Sequence, residues 1–347
     1  MIIVNKYGGF ARHHMNGSWA FTHRLTFTSI LTDILTMPYN RIAVYGHRGW
    51  ASSAIFNALV ASGAPVKVLY RPGSEVSNVP SNVTTIEVDV DNQQQLIAAL
   101  EDVDVAISLV GHEGVQRQLA FVKAIPSTNV KLFVPSDLGL RAHDEQGLRV
   151  PVNKVKYEVE KAAKDAGIPT AVVLIGATAE SALSFGILGV DYPGNRIVFT
   201  GDSANQLLNI CSRNYVAAAY ASIFAKTPPE QLQGRAIGIS EFKATGNEIA
   251  SALKKKHGSE PQIITHSLEK VEKEIETCIG KGVPLSLAWW CRKSWGSGTF
   301  MRGLGDDIWE VKGFQKATLE GLLVEGGLEP YKDVPLQVRQ AFDSMFQ

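Results

Sequence analysis

The sequence has few cysteines, no excess of charge and no long apolar run. Its 347 residues include three cysteines, none at a CxxC or Cys/His spacing typical of zinc sites, so no metal site and no disulfide framework is expected. The 34 basic and 34 acidic side chains cancel, which argues against a nucleic acid or an anionic membrane surface as partner. The longest uncharged apolar stretches, residues 167–179 and 214–225, are shorter than the roughly 20 residues that span a bilayer.

Residues 1–40 differ in composition from the rest of the chain. They contain three lysines or arginines and three histidines, but only one acidic residue, Asp33. Such a segment is typical either of a mitochondrial presequence, here residues 1–36, or of an extension ahead of a functional start at Met37. We therefore expect a disordered or targeting extension over residues 1–40. The few cysteines indicate a cytoplasmic protein, or a mitochondrial one if the presequence exists.

From Arg41 onward, short β-type runs alternate with helical segments. Alternating βα units with near-continuous apolar strands predict a parallel sheet with helices on both faces. The predicted fold class is α/β: a Rossmann-type doubly wound parallel sheet over residues 41–175, then a smaller, less regular α+β substrate-binding portion over residues 176–347, part of which packs back on the sheet. The predicted strands are 42–45, 66–70, 84–88, 103–110, 130–134 and 170–175, and the predicted helices are 51–62, 93–100, 115–124 and 153–166.

A glycine-rich turn joins the first predicted strand to the first predicted helix. Gly46 permits the tight turn, Gly49 allows a pyrophosphate to approach the backbone at the helix N-terminus, and Ser52 is small enough for helix–strand packing. Arg48 and Trp50 belong to the same turn and are also predicted to bind the cofactor. Because the turn opens a βαβ series, it predicts a dinucleotide site.

The residue after the second predicted strand indicates which dinucleotide binds. An acidic residue at this position favours NAD, whereas an arginine suits the 2′-phosphate of NADP. Arg71 occupies the position, which predicts NADP(H), although it could also be an ordinary solvated loop cation. Asp89, after the third strand, either accepts a hydrogen bond from the adenine amine or caps a helix. Gly111 and Gly176, which follow later strands, are predicted to border the cofactor as well.

The last predicted helix of the first half carries two candidates for proton transfer. Tyr157 and Lys161 have the YxxxK spacing of short-chain dehydrogenases, but at about 100° per residue they project away from the apolar stripe of the helix. Lys156 lies at the edge of that stripe, where partial desolvation would bring its pKa into a range useful for proton transfer. A lysine that merely snorkels at a helix edge is the alternative.

These features together resemble a known family. The resemblance is carried by the glycine turn, Arg71, Gln118, the segment VKLFVPSDLG at 130–139, and Lys156 followed by GIP at 167–169. They are similar to the isoflavone reductase and phenylcoumaran benzylic ether reductase group of the NmrA-like atypical short-chain dehydrogenases, over about residues 41–255. The resemblance implies an NADPH-binding Rossmann fold in which Lys156 lies near the nicotinamide ribose and acts as general acid/base.

The chain departs from the family motif at several positions. Arg48 replaces a threonine, Ser52 replaces the third glycine, and Asp137 replaces a glutamate. With Lys156 and Ser136 as the predicted catalytic residues, the resemblance implies an NADPH-dependent reductase. It would transfer hydride to a carbonyl, enone or benzylic centre of a small aromatic or polyketide-like metabolite. An NADP-sensing regulator that binds a protein partner, and a non-redox lyase or isomerase, stay open, as does a homodimer.

Two further features have more than one interpretation. Trp289, Trp290, Trp295 and Trp309 lie near the end of the chain, where they could line a pocket for a ring-bearing substrate or belong to the core or an oligomer contact. His112, after the fourth strand, is either a second proton-transfer candidate or an ordinary loop histidine.

Overall fold

The computed structural model describes residues 39–346, and the predictions for residues 1–38 lie outside the described residues. Strands and helices are numbered below in chain order within this range. The strands are β1 (Ile42–Tyr45), β2 (Val66–Tyr70), β3 (Thr84–Glu87), β4 (Val105–Ser108), β5 (Leu132–Val134), β6 (Val172–Leu174), β7 (Ala177–Thr178), β8 (Val190–Asp191), β9 (Arg196–Thr200), β10 (Leu207–Cys211), β11 (Ala236–Ile239), β12 (Phe242–Thr245), β13 (Gln262–His266) and β14 (Ile308–Trp309). The helices are α1 (Trp50–Ala61), α2 (Gln93–Leu100), α3 (Gln118–Ala124), α4 (Glu145–Arg149), α5 (Pro151–Asp165), α6 (Ala179–Ser184), α7 (Arg213–Phe224), α8 (Gly246–His257), α9 (Leu268–Gly280), α10 (Ser286–Gly296) and α11 (Leu336–Asp343).

Five parallel strands form the centre of the fold, in the order β3-β2-β1-β4-β5. The order reverses direction at β1, so the carboxyl ends of β1 and β4 border the crevice where doubly wound sheets bind ligands. Every residue of β1 and β4 is buried, as expected for strands covered by helices on both faces. Beyond β5, a parallel bridge between Phe133 and Thr170 leads to β6, and β11 and β14 continue in parallel. The predicted Rossmann-type fold is confirmed.

The boundaries of several predicted elements differ from those observed. The run predicted as a strand over 103–110 pairs only over β4, because Val103 and Leu109 are buried in the flanking turns rather than in the ladder. The helix predicted over 115–124 is divided into a 3₁₀ turn, His112–Arg117, and helix α3. The apolar pattern of a sequence indicates which residues are buried, not which residues form backbone hydrogen bonds. Because burial continues past the last hydrogen-bonded residue, the predicted elements extend beyond the observed ones.

The second half of the described chain contributes two small sheets and its own apolar core. β10 pairs with β7 and β12, and β9 pairs with β8 and β13. Trp289, Trp290 and Trp295 are buried in this core. The Trp290 indole donates to Asp144 at 3.1 Å, and the Trp295 indole donates to the Gln206 carbonyl at 2.8 Å. Of the alternatives left open for these tryptophans, the structure supports a place in the core.

The junction with the predicted N-terminal extension is already part of the folded unit. The Asn40 side chain is buried and donates to the carbonyls of Phe224 and Thr227, each at 2.8 Å. Strands β11 and β14 extend the central sheet, while the predicted boundary near residue 175 stays a prediction. Among residues 39–346, no helix combines the length and apolar character needed to cross a membrane.

Asp104 anchors the edge of the sheet where β1 and β4 begin. Its carboxylate accepts from the Arg41 guanidinium at 2.9 and 3.1 Å, from the Arg41 backbone N–H at 3.0 Å, and lies 3.3 Å from the Lys131 ammonium. These contacts, chiefly the hydrogen bonds from Arg41, lower the pKa of Asp104 from 3.8 to about 2. A carboxyl group whose pKa is lowered by folding stabilises the fold at every pH at which the group is ionised.

Replacing Asp104 with asparagine removes its ion pairs and is expected to lower the free energy of unfolding at pH 7 by about 1–2 kcal/mol. The loss is limited because Arg41 and Lys131 are half exposed, so solvent screens their charges. Folding lowers the pKa of Asp104, so its ionised carboxylate stabilises the fold. This contribution to the free energy of unfolding is complete above about pH 4 and disappears as the pH falls toward the folded-state pKa of about 2. Urea unfolding from pH 7 to pH 3 measures it. Asp306→Asn, at an exposed carboxylate, is the matched control. An equal change in both variants would contradict the assignment.

Candidate cofactor and substrate site

A cavity of about 1000 Å³ opens at the carboxyl ends of β1, β2 and β4. This volume is at the upper end of the range for small-molecule sites, about 300–1,000 Å³, and leaves room for a dinucleotide and a second ligand. One end is polar and the other is apolar. The polar end includes Gly46, His47, Arg48, Gly49, Arg71, Gly111, His112 and Arg117, and the apolar end includes Phe185, Ile187, Leu285, Leu287, Ala288, Cys291, Val338 and Phe342.

The glycine turn has a backbone that only glycine fits. Gly46 has φ +93°, and a Cβ at this residue would lie 2.9 Å from backbone atoms of Leu109 and Val110. Gly49 is the N-cap of α1 and leaves the first N–H groups of the helix without a side-chain acceptor. The Ser52 hydroxyl donates to the Leu109 carbonyl at 2.8 Å, which ties α1 to the end of β4. The turn therefore presents backbone donors that suit a phosphate group.

Arginines surround the polar end of the cavity. Arg48 and Arg71 both line it, and Arg48 donates to the Ser74 hydroxyl at 3.4 Å. Arg117, to which no sequence motif pointed, lines the same end. Burial raises the pKa of Tyr45, and the charges of Arg71 and Arg117 both oppose that shift, so the two guanidinium groups lie on the same side of the site. In the described chain none of these three arginines is paired with a carboxylate, which leaves them available to an anion.

Of the predicted cofactor residues, five do not line the cavity: Trp50, Ser52, Asp89, Lys156 and Gly176. Trp50 and Gly176 build its surroundings. The Trp50 ring contacts the Tyr331 ring at 5.0 Å, with the Arg213 guanidinium 5.2 Å from the Trp50 centroid. Gly176 has φ +71°, and a Cβ there would lie 2.7 Å from the Asn209 carbonyl oxygen. Direct contact of Trp50 or Gly176 with a cofactor stays a prediction.

Asp89 is exposed and belongs to a local turn. Its carboxylate accepts from the backbone N–H of Asp91 at 3.1 Å. The helix cap considered for it is instead Asn92, whose side chain accepts from the Gln95 N–H at the start of α2. The helix-cap alternative for Asp89 is therefore wrong by three residues, and its contact with adenine stays a prediction.

Lys156 reaches from α5 to the loop that follows β5. Its Nζ donates to the main-chain carbonyl oxygen of Asp137 at 2.5 Å and to the Asp137 carboxylate at 2.9 Å, and its side chain is 17% exposed. An ammonium group has three protons, so one remains for a ligand. Tyr157 on the same helix is 54% exposed, which confirms the orientation expected from helical spacing and excludes it from the site.

Ser136 is buried between the ends of two central strands. Its hydroxyl donates to the Val110 carbonyl at 2.7 Å, and its N–H donates to the Gln118 side-chain oxygen at 2.7 Å. The fully buried Gln118 amide also donates to the Val115 carbonyl at 3.1 Å. Because its hydroxyl proton is engaged by the backbone, Ser136 is placed to hold these loops together. Its predicted catalytic role stays a prediction.

Several cavity residues were not found from the sequence. His47 lies inside the glycine turn but is not part of its glycine spacing, and Cys291 lies on α10 without a motif. The segment 331–342 also lines the cavity, far from the glycine turn in sequence. It is held by aromatic contacts, Tyr331 with Trp50 at 5.0 Å and Phe342 with Phe185 at 4.9 Å. No local pattern predicts contacts between residues this far apart.

The chain is similar to known proteins over most of its length. Residues 38–290 match the model of the NmrA-like family. The chain belongs to the NmrA-like family. An isoflavone reductase of Pisum sativum is 25% identical over 264 residues, covering 69% of this chain and 82% of that protein. An isoflavone reductase homologue of Zea mays is 26% identical over 297 residues, covering 81% of this chain and 93% of the homologue.

Solved structures show the same fold. A crystal structure of isoflavone reductase superposes with a TM-score of 0.69 at 21% identity, covering 82% of this chain and 99% of that one. The binary complex of leucoanthocyanidin reductase with NADPH from Vitis vinifera superposes with a TM-score of 0.63 at 18% identity, covering 88% and 99%. These superpositions show that the chain shares its fold with both structures.

Proposed function

We propose that the protein is an NADPH-dependent reductase that acts on a small aromatic or polyketide-like metabolite. One observation carries the proposal: a single cavity joins a glycine turn suited to a phosphate, and three arginines without a carboxylate partner, to an apolar wall. Lys156 is held by Asp137 in the loop after β5. Membership in the NmrA-like family supports it, as do relatives that are named reductases and a similar fold described with NADPH.

The polar end of the cavity fits NADPH. The uncapped N-terminus of α1 and the close backbone approach at Gly46 would receive the diphosphate. Arg48 and Arg71 would hold the 2′-phosphate, with Arg117 as a third cation beside Arg71. When bound, the cofactor supplies the hydride. The remaining steps depend on residues of this chain.

Lys156 would supply the proton that accompanies the hydride. Two of its protons are held by Asp137, which fixes the direction of the amine, and the third would be donated to the substrate oxygen as charge develops there. The apolar wall would exclude water from this centre and pack against the rings of the substrate. The side chains of this wall come from separate elements. Phe185 follows α6, Leu285 precedes α10, and Phe342 lies on α11. A carbonyl, an enone or a benzylic centre would meet these requirements.

Arg71→Ser is expected to weaken NADPH binding about 10- to 100-fold and to leave NADH binding nearly unchanged, because one charge-assisted contact with the 2′-phosphate is lost. Isothermal calorimetry with both cofactors measures the effect. Arg302→Ser, at an exposed arginine away from the cavity, is the matched control. Equal affinity of the unaltered protein for NADPH and NADH would overturn the cofactor assignment.

The reaction itself is tested by following NADPH oxidation against aromatic ketones, enones and benzylic ethers. Consumption of NADPH in step with one of these compounds is the expected result. Tight NADPH binding without oxidation of NADPH by any compound would favour an NADP-sensing protein. Conversion of a compound without net oxidation of NADPH would favour a lyase or isomerase.

A further inference from the structure

Residues 331–342, called the strap below, form one wall of the cavity. At the start of the strap, the Tyr331 ring contacts the ring of Trp50, which is the first residue of α1. At its end, the Phe342 ring contacts the Phe185 ring of the apolar wall. The strap therefore runs past both ends of the cavity, from the glycine turn and the N-terminus of α1 to the apolar wall.

The strap is a single layer between the cavity and solvent. All residues from 335 to 340 are exposed, although Pro335, Gln337 and Val338 also line the cavity. Leu336 is 66% exposed, and helix α11 has no buried residue. One side of the strap thus faces the cavity and the other side faces solvent. Displacement of such a layer opens the cavity without exposing the core of the fold.

The strap is held to the rest of the fold without polar bonds. Across residues 39–346, no hydrogen bond or ion pair joins residues 331–342 to the chain that precedes them. The N–H groups of Val338 and Arg339 donate to the carbonyl of Pro335 at 3.0 and 3.1 Å, within the strap itself. A segment with few bonds to its surroundings opens at a low free-energy cost.

Both flanks of the strap are fixed by contrast. On the C-terminal side, the Asp343 carboxylate pairs with the Arg196 guanidinium at 2.6 Å, and this guanidinium lies 4.6 Å from the ring centroid of the buried Phe346. On the N-terminal side, the Asn214 amide donates to the Glu329 carboxylate at 3.3 Å. These contacts keep both flanks on the fold, so the strap moves between them and does not detach.

Tyr331 makes the contacts that hold the strap at the cofactor end. Its ring lies 5.0 Å from the Trp50 ring and 5.3 Å from the Phe185 ring, measured between centroids. Trp50 opens the helix whose N-terminus would receive the diphosphate, so these contacts lie beside the proposed phosphate site. Aromatic pairs of this kind are individually weak, which suits a contact that breaks and forms again.

We propose that the strap is the gate of the NADPH site and that Tyr331 is its latch. The contacts of Tyr331 with Trp50 and Phe185 hold the strap closed, and the strap opens to let the dinucleotide enter and leave. This inference rests on the proposed NADPH site. Because the latch joins the strap to the protein, its loss destabilises the closed form equally with and without NADPH. Entry and release then both accelerate, while the Kd changes little.

The first test measures both rate constants in Tyr331→Ala, by stopped-flow fluorescence of NADPH. We expect the association and dissociation rate constants each to rise about 10-fold, because two aromatic contacts are lost, and the Kd to change less than about 3-fold. Tyr331→Phe keeps the ring and should have the rate constants of the unaltered protein. Tyr157→Ala, at a tyrosine of α5 that is 54% exposed, is the matched control.

The second test follows the strap directly by limited trypsin digestion and mass spectrometry. Trypsin cuts after Lys332 and Arg339, and both bonds lie within the strap. We expect cleavage at these bonds to be about 10-fold faster in Tyr331→Ala and slower in the unaltered protein when NADPH is saturating. Cleavage after Lys312, in an exposed loop outside the cavity, is the internal control and should not change.

The outcomes separate the gate from the reductase. Unchanged rate constants in Tyr331→Ala would overturn the gate while the reductase stands. Faster release with unchanged entry would mean that Tyr331 holds NADPH directly, which would also overturn the gate. Faster entry and release without oxidation of NADPH by any compound would overturn the reductase and leave the gate. Absence of NADPH binding to the unaltered protein would overturn both.

Discussion

Lys156→Ala is expected to lower kcat by about 10²- to 10⁴-fold, the range measured when a positioned acid or base is removed. The cofactor should still bind, because the glycine turn and the arginines lie on other elements. In Lys156→Ala the Asp137 carboxylate loses its cation, so some stability should be lost as well. Stopped-flow oxidation of NADPH and calorimetry of NADPH binding measure the two effects separately.

Two further variants make this test specific. Lys156→Gln keeps a donor for Asp137 but cannot supply a proton at neutral pH, so it should fold like the unaltered protein and remain as inactive as the alanine variant. Lys154→Ala removes a lysine of the same helix that is 64% exposed, and should retain full activity. If Lys156→Gln kept more than about a tenth of kcat, Lys156 would hold its ligand by hydrogen bonding and the proton would come from elsewhere.

Gly46→Ala is expected to abolish measurable NADPH binding and to lower the free energy of unfolding by about 2–4 kcal/mol. The new Cβ would lie 2.9 Å from the backbone of Leu109 and Val110, at a residue with φ +93°. Since the backbone directly after β4 cannot move aside cheaply, the turn must shift away from it, and the N–H groups of the turn then no longer converge on the diphosphate. Urea unfolding and calorimetry measure the two losses.

Gly258→Ala is the matched control for the glycine turn. Gly258 ends α8 with φ +68°, and a Cβ there would meet no atom within 4 Å. It therefore isolates the cost of a left-handed residue, about 1–2 kcal/mol, from the cost of collision with the sheet. Gly258→Ala should bind NADPH normally. Equal losses in the two variants, or normal NADPH binding by Gly46→Ala, would contradict the role assigned to the turn.

The sequence by itself determined the parts of this protein that depend on local pattern. Continuous apolar runs such as those of β1 and β4 predict a buried parallel sheet, and the order of glycines between β1 and α1 predicts the phosphate turn. Helical spacing separated Lys156 from Tyr157, and the structure agrees: one side chain is 17% exposed and bound to Asp137, the other 54% exposed. Each of these inferences spans at most a few turns of chain, where geometry follows from residue spacing.

Only the tertiary structure decided which distant residues share the cavity. Arg117 and the segment 331–342 reach the site through the packing of elements far apart in sequence, and Trp289, Trp290 and Trp295 fill the core instead of the pocket. The role of Ser136 depends on a hydrogen bond to Val110, 26 residues earlier. Such contacts are set by how strands and helices pack in three dimensions, and residue spacing along one element carries no information about them. The sequence therefore predicts the cofactor turn and the lysine, while the tertiary structure decides which distant residues line the cavity beside that turn.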